Sequence, residues 1–236
     1  MVLTVVQPSY FPEMRVLSRI AAADVVVWAN TFHYKKHSTI NRTRIKTISG
    51  PRWLSIPVLT RGASKQIIAD MRIDPEHDWQ GAHIRSLQSN YQSSPYYYFF
   101  ADEIADVINK KWRLLDELLQ QSTSFLCQKL GFLARFVDSR ELPGVTDRSH
   151  RVIAWAEACG CSSYLVPTED ERFIDRQFIE KNNCSVLCFD FRSVAYHQLF
   201  GDFIGELSGL DLLFNEGEMS RFILQSAQRA RKERTA

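Results

Sequence analysis

The strongest restriction on the fold comes at the start of the chain, where a strand, a proline-broken loop, a helix and a second strand follow one another. Residues 2–6 are the apolar, β-branched run VLTVV, closed by Gln7-Pro8. Proline has no N–H to give a sheet and turns the preceding residue away from helix. Beyond the loop at 9–12, Val16, Leu17 and Ile20 are spaced as one apolar helical face, which predicts a helix over 13–22. Asp24 ends it, and residues 25–28, VVVW, read as the next strand. Such a β-loop-α-β unit begins parallel sheets, which bind ligands at the carboxyl ends of their strands.

The expected fold is therefore α/β, with a Rossmann-like parallel or mixed sheet. Residues 42–47 alternate in the manner of a strand, Ser49-Gly50-Pro51 is a turn, and 52–58 reads as its partner, so the sheet should carry an inserted hairpin. A flexible stretch is expected at 60–65 and a strand over 67–73. Helices are expected over 77–92, over 101–130 in one or two pieces, and over 147–159 with Gly160 as C-cap. Short strands at 163–167 and 186–189 and an apolar helix or turn at 207–214 complete a largely helical C-terminal part. With 236 residues, no internal repeat and no low-complexity linker, one domain over 1–236 is expected, its charged tail at 226–236 fraying.

The first chemical signal follows the second strand. FHYKKHSTINRTRIK, residues 32–46, holds His33, Lys35, Lys36, His37, Arg42, Arg44 and Lys46 with no acidic residue among them. The chain as a whole carries only +2, so the positive charge is local. A local cationic site suits a phosphate or carboxylate better than a long polyanion. On an extended segment Arg42, Arg44 and Lys46 share one face. Arginine would bind such a group bidentately and Lys46 as a point charge, with Lys36 a further ligand-binding candidate and Asn30, Asn41 and Thr43 adding neutral donors. A solvated hairpin face is the plainer alternative. His33 and His37 are candidate proton acceptors, since imidazole titrates near neutrality.

Other candidates are scattered. Gln7, Ser9 and Tyr10 lie in the QPSYFP loop ahead of a helix N-terminus, where an anion would be favoured, although a rigid turn explains them as well. Arg172 and Asp175 sit in an acidic loop after the 163–167 strand. Asp211 and Asn215 share a helical face among leucines and would anchor the site from behind. The aromatic share of 12% leaves rings to line a cleft.

Several classes are disfavoured. There is no glycine-rich dinucleotide or Walker loop. The five cysteines are odd in number, and Cys159 and Cys161 are too close for an ordinary zinc knuckle, so buried free thiols are expected and no metal. The apolar run at 20–29 is about half a membrane span, and the N-terminus lacks a cationic n-region, so a soluble cytoplasmic protein without membrane insertion is expected. Nucleic-acid binding is disfavoured by the low net charge, and a homo-oligomer is allowed.

Taken in order, QPSYFP, ADVVVW with the basic block, RWLSIPV, QSNYQSSPYY, GCSSYLVP, and YHQLF with LSGLDLLFNEG resemble the WbqC-like proteins, a bacterial family of O-antigen and other polysaccharide gene clusters. Two departures stand out. The family follows its proline loop with an aromatic residue and Gly-Tyr-Phe, where this chain has Glu13-Met14-Arg15-Val16-Leu17, and its acidic pair before Gln-Phe is here Ala29-Asn30. The resemblance implies transfer of an amino acid, glycine being one proposal, or a similar acyl group onto a sugar. The opening is also distantly similar to HIGH-type nucleotidyltransferases, whose paired loop histidines are missing.

The expected activity is therefore that of a transferase moving an acyl or aminoacyl group from a small activated donor to a sugar or amine acceptor. The alternative is an accessory protein that binds a nucleotide-sugar or phosphorylated ligand without transforming it. No tightly held cofactor is expected; an activated nucleotide or acyl donor would come and go.

Overall fold

The computed structural model describes residues 1–59 and 66–231; the stretch at 60–65 expected to be flexible lies outside the described residues. A six-stranded sheet runs in the order β5-β2-β1-β6-β7-β8. It is built from β1 (Val2–Val6), β2 (Val25–Trp28), β5 (Arg135–Asp138), β6 (Ser163–Pro167), β7 (Ser185–Phe191) and β8 (Gln228–Arg231). Every pairing is parallel except β7 with β8. The sheet is therefore mixed, as the strand-helix succession predicts. The backbone of 228–231 is an edge strand rather than the start of a frayed tail, because β7 offers an unpaired edge for it to join. Residues 232–236 lie outside the described residues.

Alternation sorts the side chains of the central strands onto two cores. Val6, Val26 and Trp28 pack with α1 (Met14–Ala21), α2 (Trp79–Tyr91), α3 (Tyr97–Asn109), α4 (Leu115–Lys129), α7 (Gly209–Glu216) and α8 (Ser220–Ser226). Leu3, Val25 and Val27 pack with α5 (Arg148–Cys159) and α6 (Arg176–Lys181) on the opposite face. A strand buried on both faces has no polar side to show, which is why β2 reads as an uninterrupted apolar run.

Local signals placed most boundaries. Asp147 caps α5 by accepting from the His150 N–H at 2.9 Å, and Gly160 closes it at φ 69°. Asp24 fastens the entry of β1 by accepting from the Val2 N–H at 2.7 Å. Residues 101–130 divide into α3 and α4, with α3 starting inside the YYYFF run. The expected strand over 67–73 is instead a single 3-10 turn at Ile68–Asp70 flanked by isolated bridges. Its N–H groups answer loop carbonyls, Ile68 to Phe32 and Ala69 to Asn30, so no continuous ladder forms.

Two features position the site. The hairpin of β3 (Arg42–Thr47) and β4 (Gly50–Ser55) forms its own two-stranded sheet. In the main sheet, β1 pairs with β6 only from Val2↔Ser163 to Thr4↔Leu165. Farther on, β1 follows β2 to Val6↔Trp28 and β6 follows β7 to Pro167↔Phe189. The chain order reverses between these neighbours, so the two strands splay at the topological switch point.

Candidate functional site

The hairpin cations turn inward to hold chain. Arg42 donates to the carbonyls of Ser38, at 2.9 Å, and His37, and its guanidinium lies 4.1 Å from the Trp53 ring centre. Arg44 donates to the Glu206 carbonyl at 2.8 Å and also approaches Trp53. Lys46 is 1% exposed; its Nζ donates to Gln198 Oε1 at 3.2 Å and to the Asp202 carbonyl at 2.5 Å. Asn41 is tied to Tyr34 and to the Ile56 carbonyl. Lys36 and His37 are exposed, His37 at φ 61°. Between the QPSYFP loop and the hairpin, the cavity touching Ser9, Tyr10, Arg42 and Arg44 measures only about 10 Å³. The Ser9 Oγ is buried and has no hydrogen-bond partner among the described residues.

The remaining candidates divide in the same way. Tyr10 is buried, its hydroxyl 3.2 Å from His83 Nδ1, and burial pushes its phenol well up. Asp211 accepts from Tyr196 at 2.6 Å, Tyr91 at 2.7 Å and Gln198 at 2.8 Å. Burial raises its carboxyl, and these hydrogen bonds together with Lys46 oppose the rise. Asn215 donates to the Asp211 carbonyl, so both anchor α7. Asp175 caps α6 by accepting from the Phe178 N–H, and Arg172 lies against Phe173.

Asn30, one of the two departures from the family pattern, is fully buried between two carboxylates. Its amide donates to Asp116 at 2.8 Å and to Asp138 at 3.0 Å, while its carbonyl accepts from Ser139. An amide satisfies both neighbours where a third carboxylate would be repelled. Burial acts to raise Asp138, but hydrogen bonds from Arg140 and Asn30 outweigh it and hold the carboxyl below its usual range. Asp138 also borders a cavity of about 410 Å³ with Trp28, Gln120 and Phe136. In the other departure, Arg15 bridges Glu169 at 2.9 Å and Glu206 at 2.5 Å, while Met14 and Leu17 are buried in the core.

The charged opening lies at the switch point itself. A cavity of about 250 Å³ is lined by Gln7 of the proline loop, Arg19 of α1, Arg148 and Arg151 of α5, Tyr164 of β6, and Asp170. Among the described residues none of these arginines is in an ion pair. The Arg19 Nε is buried with no acceptor among the described residues. Burial lowers the pKa of both Arg19 and Arg151, a desolvation cost that a bound anion would offset. Phe32, Arg151 and Trp155 also line a wider adjoining cleft of about 820 Å³ that contains His33, Ser139 and Arg140. Thus, of the expected site residues, Gln7 lines the crevice and His33 the neighbouring cleft on the other side of a shared wall.

The three arginines were missed as site residues. Arg148, Arg151 and Trp155 follow the i, i+3, i+7 spacing of one helical face, a signal present in the sequence. Nothing local marks Arg19. Among the described residues no His, Cys, Asp and Glu converge as a metal-binding group, and the five cysteines are free thiols.

The fold and this opening define a doubly wound α/β protein with a cationic crevice at the carboxyl ends of its central strands. The model of the WbqC-like protein family matches residues 7–222, and the chain belongs to that family. It is similar to the uncharacterized protein Rv1507c of Mycobacterium tuberculosis, 28% identical over 215 residues that cover 90% of this chain and 93% of that one. No solved structure matches it.

Proposed function

We propose that the protein is a transferase that moves an acyl or aminoacyl group from a small activated donor to a sugar or amine acceptor. The observation that carries this reading is that the arginine crevice and the cleft lined by His33 share a wall of Phe32, Arg151 and Trp155. The donor's anionic group would sit among Arg19, Arg148 and Arg151, with Gln7 at its edge. The acceptor would enter through the wider cleft. Its hydroxyl or amine attacks the donor carbonyl, the His33 imidazole takes the proton, and the bond to the activating group breaks. Arg44 and Lys46 hold the 198–206 segment against the hairpin and Arg42 holds the 37–38 turn, so these cations serve the scaffold.

The test is product formation from acyl-adenylate and acyl-thioester donors with amino-sugar acceptors, followed by mass spectrometry. His33→Gln should lower turnover by about 10²–10⁴-fold while leaving donor affinity in place. Undiminished turnover in that variant removes His33 from the mechanism. The binding-only reading draws on a specific observation: His33 is exposed and, among the described residues, has no hydrogen-bonded carboxylate to orient it. Saturable donor binding with no product across the donor panel would favour that reading.

A further inference from the structure

We propose that the crevice at the switch point selects a doubly charged phosphate group, so that the ligand is phosphorylated rather than a simple carboxylate. This deepens the anion-site reading above and rests on it. The first argument is charge. Of the side chains lining the cavity, three are guanidinium groups and one, Asp170, is a carboxylate, leaving two positive charges on the wall. Glu169 and Asp147 act on Arg19 and Arg151 from outside it, Glu169 bridged to Arg15 and Asp147 bonded to His150. A phosphate monoester carries about −1.5 to −2 near pH 7, whereas a carboxylate carries one charge and would leave half of that excess unmet.

The second argument is the way the donors are presented. The Arg151 guanidinium lies 5.0 Å from the Phe32 ring centre and 5.5 Å from that of Trp155, and the two rings are themselves stacked 6.4 Å apart. Arg148 lies 5.3 Å from the Phe173 ring. Cation–π contact occupies a guanidinium's face and leaves its in-plane N–H edge for oxygen acceptors. Among the described residues, Arg151 uses that edge only for a long contact of 3.4 Å to the Val145 carbonyl. Arg19 brings a buried Nε that meets no acceptor among the described residues. Three arginines lining one cavity suit a tetrahedral group with several acceptor oxygens better than a planar one with two.

The third argument is location. The cavity opens where β1 and β6 stop pairing after Thr4↔Leu165, and α5, which carries Arg148 and Arg151, leads directly into β6. Ligands of open α/β sheets bind in this crevice. The adjoining cleft of about 820 Å³ has room for the remainder of a phosphorylated molecule.

Isothermal titration of the full chain with inorganic phosphate, and separately with acetate, tests the assignment. Phosphate should bind at least tenfold more tightly than acetate. Arg148→Gln and Arg151→Gln should each weaken phosphate by about tenfold or more, with Arg148→Lys recovering part of the loss. Unchanged circular dichroism and urea midpoints in these variants show that the loss is one of binding. Acetate bound as tightly as phosphate, with the same arginine dependence, overturns the phosphate assignment and leaves the anion-site reading standing. Phosphate binding that is indifferent to both arginines, or no binding of either anion, overturns both.

Discussion

Replacing Lys46 with methionine separates two roles that the sequence leaves open. If the lysine holds structure, Lys46→Met should unsettle the fold and spare anion binding; if it were a ligand-binding group, the reverse. Methionine keeps the length of the side chain but removes the ammonium. The Asp202 carbonyl then loses its donor at 2.5 Å, and Gln198 Oε1 loses one at 3.2 Å but keeps the Ile204 N–H at 2.9 Å. A charge-assisted hydrogen bond contributes about 1.5–3 kcal/mol, and a buried acceptor left empty costs about 1–3 kcal/mol, with partial overlap between the two. Asp211, raised by burial, also loses a cation that helps to keep it ionised. The Asp202 carbonyl belongs to an exposed residue and can regain water, so the buried-acceptor cost applies only in part and the expected loss is about 2 kcal/mol. With a urea m-value of about 2.5 kcal/mol/M, the midpoint should fall by about 0.8 M at unchanged slope. Phosphate affinity should be retained. A midpoint shift below about 0.3 M, accompanied by lost anion binding, would refute the reasoning and return Lys46 to the ligand site.

Two further outcomes test the surrounding scaffold. His83 Nε2 lies 3.2 Å from the Ser55 carbonyl, which can only accept, so Nε2 carries the proton and Nδ1 accepts from Tyr10. Burial pulls this imidazole down to about 4, below its unfolded value near 6.5. The neutral ring's contribution is therefore present above pH 6.5 and drains away as the pH falls toward 4. Linkage gives a loss of about 2 kcal/mol between pH 7 and 5, read from urea midpoints, and His83→Gln should flatten that slope; equal slopes in the two proteins would contradict it. Asn30→Asp would set a third carboxylate between Asp116 and Asp138 and should cost about 3 kcal/mol at pH 7. The new carboxyl would be raised above its unfolded value, so the penalty relative to wild type should shrink as the pH falls; a penalty independent of pH would point to packing instead.

The strand-helix succession was legible because it is written in local periodicity. The VLTVV and VVVW runs, the apolar face of α1, the Asp147 cap and the Gly160 terminator each depend on residues within a few positions of one another. The 67–73 segment misled for the converse reason. Its apolar residues look like a strand, but its N–H partners lie on distant loops, Phe32 and Asn30 among them. For β8 the deciding factor was likewise remote, since a charged segment becomes a strand only beside the open edge of β7.

By itself, the sequence determined that the chain alternates strands and helices into an α/β fold of the WbqC-like family, that positive charge gathers on β3, and that α5 carries arginines on one face. Only the tertiary structure decided which cations remain free for a ligand. Arg42, Arg44 and Lys46 are taken up by carbonyls of their own neighbourhood and of the 198–206 segment, far along the chain. Arg19, Arg148 and Arg151 line an open crevice because β1 and β6 part after three pairs. Periodicity places a side chain on a face, because that is set by backbone geometry within a few residues. Whether a charge meets a carbonyl or an empty cavity depends on long-range strand pairing, which no short stretch of sequence contains.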